Sequence, residues 1–231
     1  MSFLEQIVIW EKEVFLAING SSSPFLDSVM WLFSGSIMWM PIAVFFLFTI
    51  VYKKKYTEWL PVLVAIGLVV LFCDSFSSGL CKPYFGRFRP THHPLIKELV
   101  DTVYGYRGGK FGFISGHATN FLGFAMLTAC IFKNRTYTIT IFIWAAIIAY
   151  SRVYLGVHFI SDVVAGAACG SIIGFLTYRI YLFMVKQGKT KIACPISKAS
   201  ISGRNIALGL LCNTAVFTVF SPFVVTHILN K

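Results

Sequence analysis

Residues 158–184 read HFISDVVAGAACGSIIGFLTYRIYLFM. From Phe159 onward this is one apolar run, longer than the roughly 20 residues a helix needs to cross a bilayer. Gly166, Gly170 and Gly174 recur at a fixed spacing of four. On a helix they form a stripe of small residues against which a neighbouring backbone can pack closely. At the start of the run, His158 and Asp162 share a helix face, which brings the carboxylate within reach of the imidazole. A carboxylate that holds one ring nitrogen as N–H leaves a lone pair on the other, the form that a nucleophile or a metal ligand takes. An isolated pair of this kind is as readily two polar groups satisfying each other between helices, so its meaning depends on the rest of the chain.

Hydrophobic residues make up 57% of the 231-residue chain and charged residues 13%, with a mean hydropathy of +0.74. That excludes a soluble domain of ordinary composition and points to a bundle of membrane helices. The net charge is +11, from 20 Lys and Arg against 9 Asp and Glu. Cytoplasmic loops account for part of it, and an anionic substrate for the rest. Nothing points to nucleic acid or to an obligate protein partner. The six cysteines (73, 81, 130, 169, 194 and 212) are scattered, mostly within apolar runs, without metal-ligand spacing or a disulfide framework.

Glu5, Glu11, Lys12 and Glu13 interrupt the uncharged core that a signal peptide would need. Phe3, Leu4, Ile7, Val8, Trp10, Val14, Phe15 and Ile18 recur at helical spacing, set opposite those charges. The expectation is an amphipathic helix lying in the membrane interface and stopped at Asn19-Gly20. Ser21 to Ser23 and Pro24 open a second short helix that breaks at Gly35-Ser36. Six apolar segments follow, over residues 37–52, 59–80, 113–132, 137–154, 159–184 and 205–228. The expected fold is therefore all-α: one domain over 1–231, with interfacial helices over 1–34 and a six-helix membrane bundle over 35–231. Lys53, Lys54 and Lys55 follow the first segment, and Lys133 and Arg135 the third. Lys186, Lys189, Lys191, Lys198 and Arg204 follow the fifth. If every segment crosses, these connections share one side, cytoplasmic by the positive-inside rule. The loop 81–112 and the turn at 155–158 then lie together on the outer face, where the loop's basic residues need another reason.

Three clusters supply it. Lys82, Arg87 and Arg89 interleave with Pro83, Tyr84, Phe85, Phe88 and Pro90, a stiff cationic segment suited either to phosphoryl oxygens or to lipid headgroups. Phe113 to His117 opens the third segment, with Ser115 as N-cap, Gly116 allowing close backbone approach, and His117 placed to donate a proton. Ser151 and Arg152 end the fourth segment, where an unpaired charge is costly and therefore functional by default. His158 and Asp162 follow one turn later.

Together these residues resemble the signature of the type 2 phosphatidic acid phosphatase superfamily: Lys-x6-Arg-Pro, then Pro-Ser-Gly-His, then Ser-Arg-x5-His-x3-Asp. Lys82, Arg89 and Pro90 match the first part. Ser115, Gly116 and His117 match the second, with Ile114 in place of proline, and Ser151, Arg152, His158 and Asp162 match the third. The resemblance covers the chain from about residue 25 and implies a six-helix core. It also implies a phosphatase in which His158 attacks phosphorus, Asp162 orients it, and His117 protonates the leaving oxygen and then activates water. Lys82, Arg89, Ser115, Gly116 and Arg152 then bind the phosphoryl oxygens. It implies no metal and no cofactor.

A metal site built from His117, His158 and Asp162 is the main rival, weakened by three cations that would repel a divalent ion. A non-catalytic lipid-binding or transport protein is the other. Within the family, compact size and the run Arg89-Pro90-Thr91-His92 are similar to bacterial lipid A phosphatases that remove the 4′-phosphate. Undecaprenyl pyrophosphate and phosphatidylglycerophosphate phosphatases remain alternatives. The expected setting is a bacterial inner membrane with the active site on the periplasmic face. Arg87, His92, His93, Tyr104, Tyr106, Arg107 and Lys110 are expected to shape headgroup choice. Asp74, inside the second segment, is read as a structural partner of a motif cation or of Ser77 and Ser78.

Overall fold

The computed structural model describes residues 3–21, 23–187 and 203–229, and the regular structure among them is helical. Ser22, Lys189, Lys191, Cys194 and Lys198, and the side chains of Phe3, Leu4 and Arg204, lie outside the description. The helices are α1 (Phe3–Asn19), α2 (Pro24–Ser34), α3 (Ser36–Val51), α4 (Tyr56–Asp74), α5 (Lys82–Phe85), α6 (Gly116–Phe132), α7 (Arg135–Tyr154), α8 (Ile160–Gln187) and α9 (Gly203–Leu229). A π-helical stretch, Ser75–Cys81, joins α4 to α5.

Every apolar segment of the sequence is helical, with ends shifted by a few residues. Four helices are long and apolar enough to cross a membrane: Tyr56–Phe85, Arg135–Tyr154, Ile160–Lys186 and Asn205–Leu229. The pair α2 and α3, bent by 49°, makes a fifth if counted as one span. The chain is an integral membrane protein. The sequence reading began the third segment at Phe113, whereas α6 begins at Gly116 and has only 17 residues. Its Ala118, Leu122, Ala125, Leu127, Ile131 and Phe132 are buried, and it packs against α4, α7 and α8. A helix apolar all round and enclosed by others need not match the bilayer's width.

The glycine stripe explains how α6 and α8 meet. A Cβ on Gly166 would lie 2.7 Å from the Ser115 carbonyl oxygen, and one on Gly174 would lie 3.0 Å from the Gly123 carbonyl carbon. Gly170 faces the main chain of Thr119 in the same way. The two helices therefore touch backbone to backbone, the close approach expected of small residues four apart.

Helix α1 corrects the sequence reading. Val8 and Phe15 are buried against Ile96, Val100, Val153 and Phe159, whereas Ile9, Trp10 and Val14 are exposed. Glu11 is not on an opposite face; it stands three residues after Val8 and four before Phe15, on the same inward stripe. Asn19 ends the helix with its side chain bonded to Asp101 and to the Tyr154 carbonyl (2.8–2.9 Å). That fixes α1 against the outer loop and the end of α7. Ser23 caps α2 by accepting from the Leu26 N–H.

Candidate active site

At the end of α5 the chain turns at Gly86, in the left-handed region at φ +57°. It then runs extended, with Phe88 bridged to Phe111 and Arg89 N–H donating to the Lys110 carbonyl at 3.1 Å. In an extended segment alternate side chains face opposite ways. Arg87 and Arg89 are accordingly both buried, and Phe88, between them, is less so. On the other side of the site, α7 ends in a tight turn: the Arg152 carbonyl accepts from the N–H groups of Val157 and His158, both at 3.2 Å. His158, Asp162, Arg152 and Ser115 are each almost completely buried.

Three cations gather here without acidic partners among the described residues. Lys82 Nζ donates to Ser78 Oγ at 2.9 Å, and Ser78 Oγ donates to Asp74 at 3.2 Å. Asp74 thus props the lysine through a serine, the structural role expected of it. Arg89 donates from Nε to the Phe111 carbonyl (3.1 Å) and from Nη1 to the Val157 carbonyl (3.4 Å). Arg152 donates to the Ser34 hydroxyl and, at 3.3 Å, to the Tyr106 hydroxyl, while its Nε has no partner among the described residues. Buried cations bonded only to neutral groups are costly unless an anion completes them. Gly116 lies against this set: a Cβ there would be 3.5 Å from Lys82 Nζ. Ser115 Oγ accepts from the Ala118 N–H at 3.5 Å as the cap of α6, which leaves its proton to donate, and its own N–H donates to the Asp162 carbonyl at 3.0 Å.

His158 Nδ1 stands 3.4 Å from Asp162 Oδ2, close but without a hydrogen bond. The carboxylate's shorter contacts are Arg87 Nη1 at 2.6 Å and the Phe159 N–H at 3.0 Å. The second is half of a capping box at the start of α8. Burial first, then Arg89, Arg152 and Lys82, hold the His158 ring well below its ordinary pKa, so it is neutral and carries a lone pair at neutral pH. Protonation therefore favours the unfolded chain, and the phosphate-free protein loses stability as pH falls below about 6.5. Thermal unfolding in detergent should show that slope, and His158→Asn should reduce it, leaving the part contributed by His93, which burial also holds below its ordinary pKa.

His117, in the first turn of α6, has Nε2 3.2 Å from the Ser34 carbonyl. An apolar chamber of about 440 Å³ opens beside it, lined by Trp39, Ile42, Phe46, Leu63, Phe121 and Trp144 among others. Among the described residues no three His, Cys, Asp or Glu side chains group as a metal site.

Two headgroup assignments are corrected. Arg87 is bound between Glu11 (2.7 Å) and Asp162 (2.6 Å), so its charge is spent beneath the site. His93 is buried with its ring against Phe159 at 6.0 Å. Tyr104, Arg107 and Lys110 are exposed, and His92 is partly so. Two contributors escaped the sequence reading altogether: Ser34, which touches both His117 and Arg152, and Glu11.

The PAP2 superfamily profile matches residues 58–185, more than half of the chain and every motif residue above. The chain is 44% identical over 209 residues to the lipid A 4′-phosphatase of Porphyromonas gingivalis, covering 90% of this chain and 88% of that protein. It is 38% identical over 182 residues to the lipid A 4′-phosphatase of Bacteroides thetaiotaomicron, covering 78% and 79%. The crystal structure of Aquifex aeolicus LpxE superposes with a TM-score of 0.53 at 25% identity, over 74% of this chain and 95% of that one. With the motif order intact and its three parts drawn to one end of a membrane bundle, the chain belongs to the PAP2 superfamily and is a phosphatase.

Proposed function

We propose that the protein hydrolyses a lipid phosphate without a metal, through a phosphohistidine on His158. The observation that carries this is a buried neutral histidine beside three cations, Arg89 and Arg152 buried and Lys82 half-buried, that lack acidic partners among the described residues. His158 Nε2 attacks phosphorus as the P–O bond to the lipid breaks, and His117 gives its proton to the departing oxygen. Water, losing a proton to His117, then attacks phosphorus, breaks the P–N bond and returns His158 with orthophosphate. Lys82, Arg89 and Arg152, with the Gly116 N–H and the Ser115 hydroxyl, neutralise the equatorial oxygens, which is the main source of rate in phosphoryl transfer. Asp162 favours the imidazolium character that develops on His158. The apolar chamber at His117 supports a substrate that brings hydrocarbon to the leaving-group side.

The 4′-phosphate of lipid A is the substrate we favour, because two relatives so named align over most of the chain. The deciding experiment compares purified protein in detergent with excess EDTA on lipid A and on undecaprenyl pyrophosphate. Release of the lipid A 4′-phosphate is expected. Loss of all turnover under chelation overturns the metal-free mechanism, and fast cleavage of the pyrophosphate with lipid A untouched overturns the substrate.

Six crossings, with α1 in the interface and the site on the periplasmic face of an inner membrane, are the topology that best fits the basic connections. With native cysteines replaced, Thr102→Cys should react with an impermeant thiol reagent in intact spheroplasts, and Lys53→Cys should not. The reverse pattern inverts the topology.

A further inference from the structure

We propose that Glu11, on the N-terminal helix, is a positioning residue for catalysis: its largely enclosed carboxylate balances Arg87, so that Asp162 keeps its negative charge available to His158. The proposal rests on the phosphatase reading above.

The contacts form one chain across four parts of the fold. Glu11 Oε1 accepts from Arg87 Nη2 and from the Ser161 hydroxyl, both at 2.7 Å. Its other oxygen accepts from the Ser161 N–H at 2.8 Å, satisfying a donor at the start of α8 that no residue of α8 can reach. Arg87 Nη1 donates to Asp162 Oδ1 at 2.6 Å and to Ser161 Oγ at 2.7 Å. Asp162 Oδ2 faces His158 Nδ1 at 3.4 Å. The guanidinium also lies over the Phe159 ring at 4.6 Å, so it has little room to leave its place.

Charge accounting gives the reason for a second carboxylate. Arg87 against Asp162 alone sums to zero, and Asp162 would then offer little net field to the histidine beside it. The surroundings make that worse: Lys82 from α5, Arg89 from the loop and Arg152 from α7 all oppose positive charge on His158. With Glu11 on the far side of Arg87, the group carries one net negative charge next to the ring that must become cationic in the transition state. In a site closed to water such a charge acts strongly. Glu11 touches no reacting atom; its effect passes through Arg87 and Asp162.

Glu11→Gln keeps the shape and one acceptor oxygen, removes the charge, and turns the other oxygen into a donor that faces either the Ser161 N–H or Arg87. The expected result is a kcat lower by about 10-fold with KM within about 2-fold. Inhibition by orthovanadate, which imitates the five-coordinate phosphorus, should weaken more than inhibition by orthophosphate. Glu11→Asp should recover part of kcat, and the isosteric Glu11→Asn should not, a comparison that stands even if the glutamine variant folds poorly. Equal kcat in the Asp and Asn variants, or equal weakening of vanadate and phosphate, overturns the proposal. Wild-type protein that releases no phosphate overturns the functional reading and this one with it. Active wild type matched by Glu11→Gln overturns the role of Glu11 alone.

Discussion

His158→Ala should lose at least about 10⁴-fold in turnover and carry no phosphoryl group, because on the proposed mechanism the substitution removes the atom that bonds to phosphorus. His117→Ala will lose turnover on lipid substrates for a different reason. A lipid alkoxide is a poor leaving group and departs only with the proton that His117 supplies. An aryl phosphate needs no such help, so in His117→Ala it should still phosphorylate His158. The intermediate should then accumulate, since His117 is also the base that activates water. Rapid acid-free quenching after mixing with labelled aryl phosphate distinguishes the variants: label on His117→Ala, stable to base and lost in acid, and none on His158→Ala. Label recovered on His117 in His158→Ala protein would reverse the two roles.

Gly170→Val should also cost activity, by about two orders of magnitude, although the residue touches no part of the chemistry. The first carbon added at Gly170 would lie 2.9 Å from the carbonyl carbon of Thr119, and main chain cannot swing aside as a side chain can. Overfilling a packed interior costs about 1–3 kcal/mol, and here the relief is for α8 to move off α6. The same two helices hold the halves of the site, Ser115 to His117 on one and His158 to Asp162 at the start of the other. A displacement of about 1 Å is worth about 10²-fold in rate, so kcat should fall by that order even where the protein still purifies. Gly170→Ala should fall less. Gly67→Ala, at a glycine with no heavy atom within 4 Å of an added carbon, should behave as wild type. Full activity in Gly170→Val would mean that the helix contact does not set the catalytic geometry.

Much of this was legible in the residues because it is local. His158 and Asp162 at the entry to α8, Ser115 and His117 at the entry to α6, and the glycine stripe within α8 each depend on spacing over a few residues of one segment, which the sequence reports directly. What escaped depends on partners far away in the chain. Arg87 reads as one more cation of a basic segment, and only folding shows it between Glu11 and Asp162, 76 and 75 residues distant. The contact of Ser34 with Arg152 spans 118 positions. For Glu11 a signal was present: a carboxylate between Val8 and Phe15 at spacings of three and four falls on the buried stripe, and a buried carboxylate needs a cation. Length and composition alone give four spans, or five with the bent pair α2 and α3, for a related reason. Length identifies helices that face lipid, and α6 faces other helices.

Ser34 has a consequence for how the enzyme lets go. Its carbonyl holds His117 and its hydroxyl holds Arg152. Any phosphoryl group that takes those partners does so in competition with the protein itself. The competing contact lowers the affinity of every such ligand by the fraction of time the partners stand free. On the proposed function, a lipid offsets that with hydrocarbon placed in the chamber at His117. Orthophosphate, the last species left on the enzyme, has no hydrocarbon to offer. As it loosens, Ser34 lies close enough to take back the groups it leaves, which on the proposed mechanism favours departure of the product, a step that limits many enzymes.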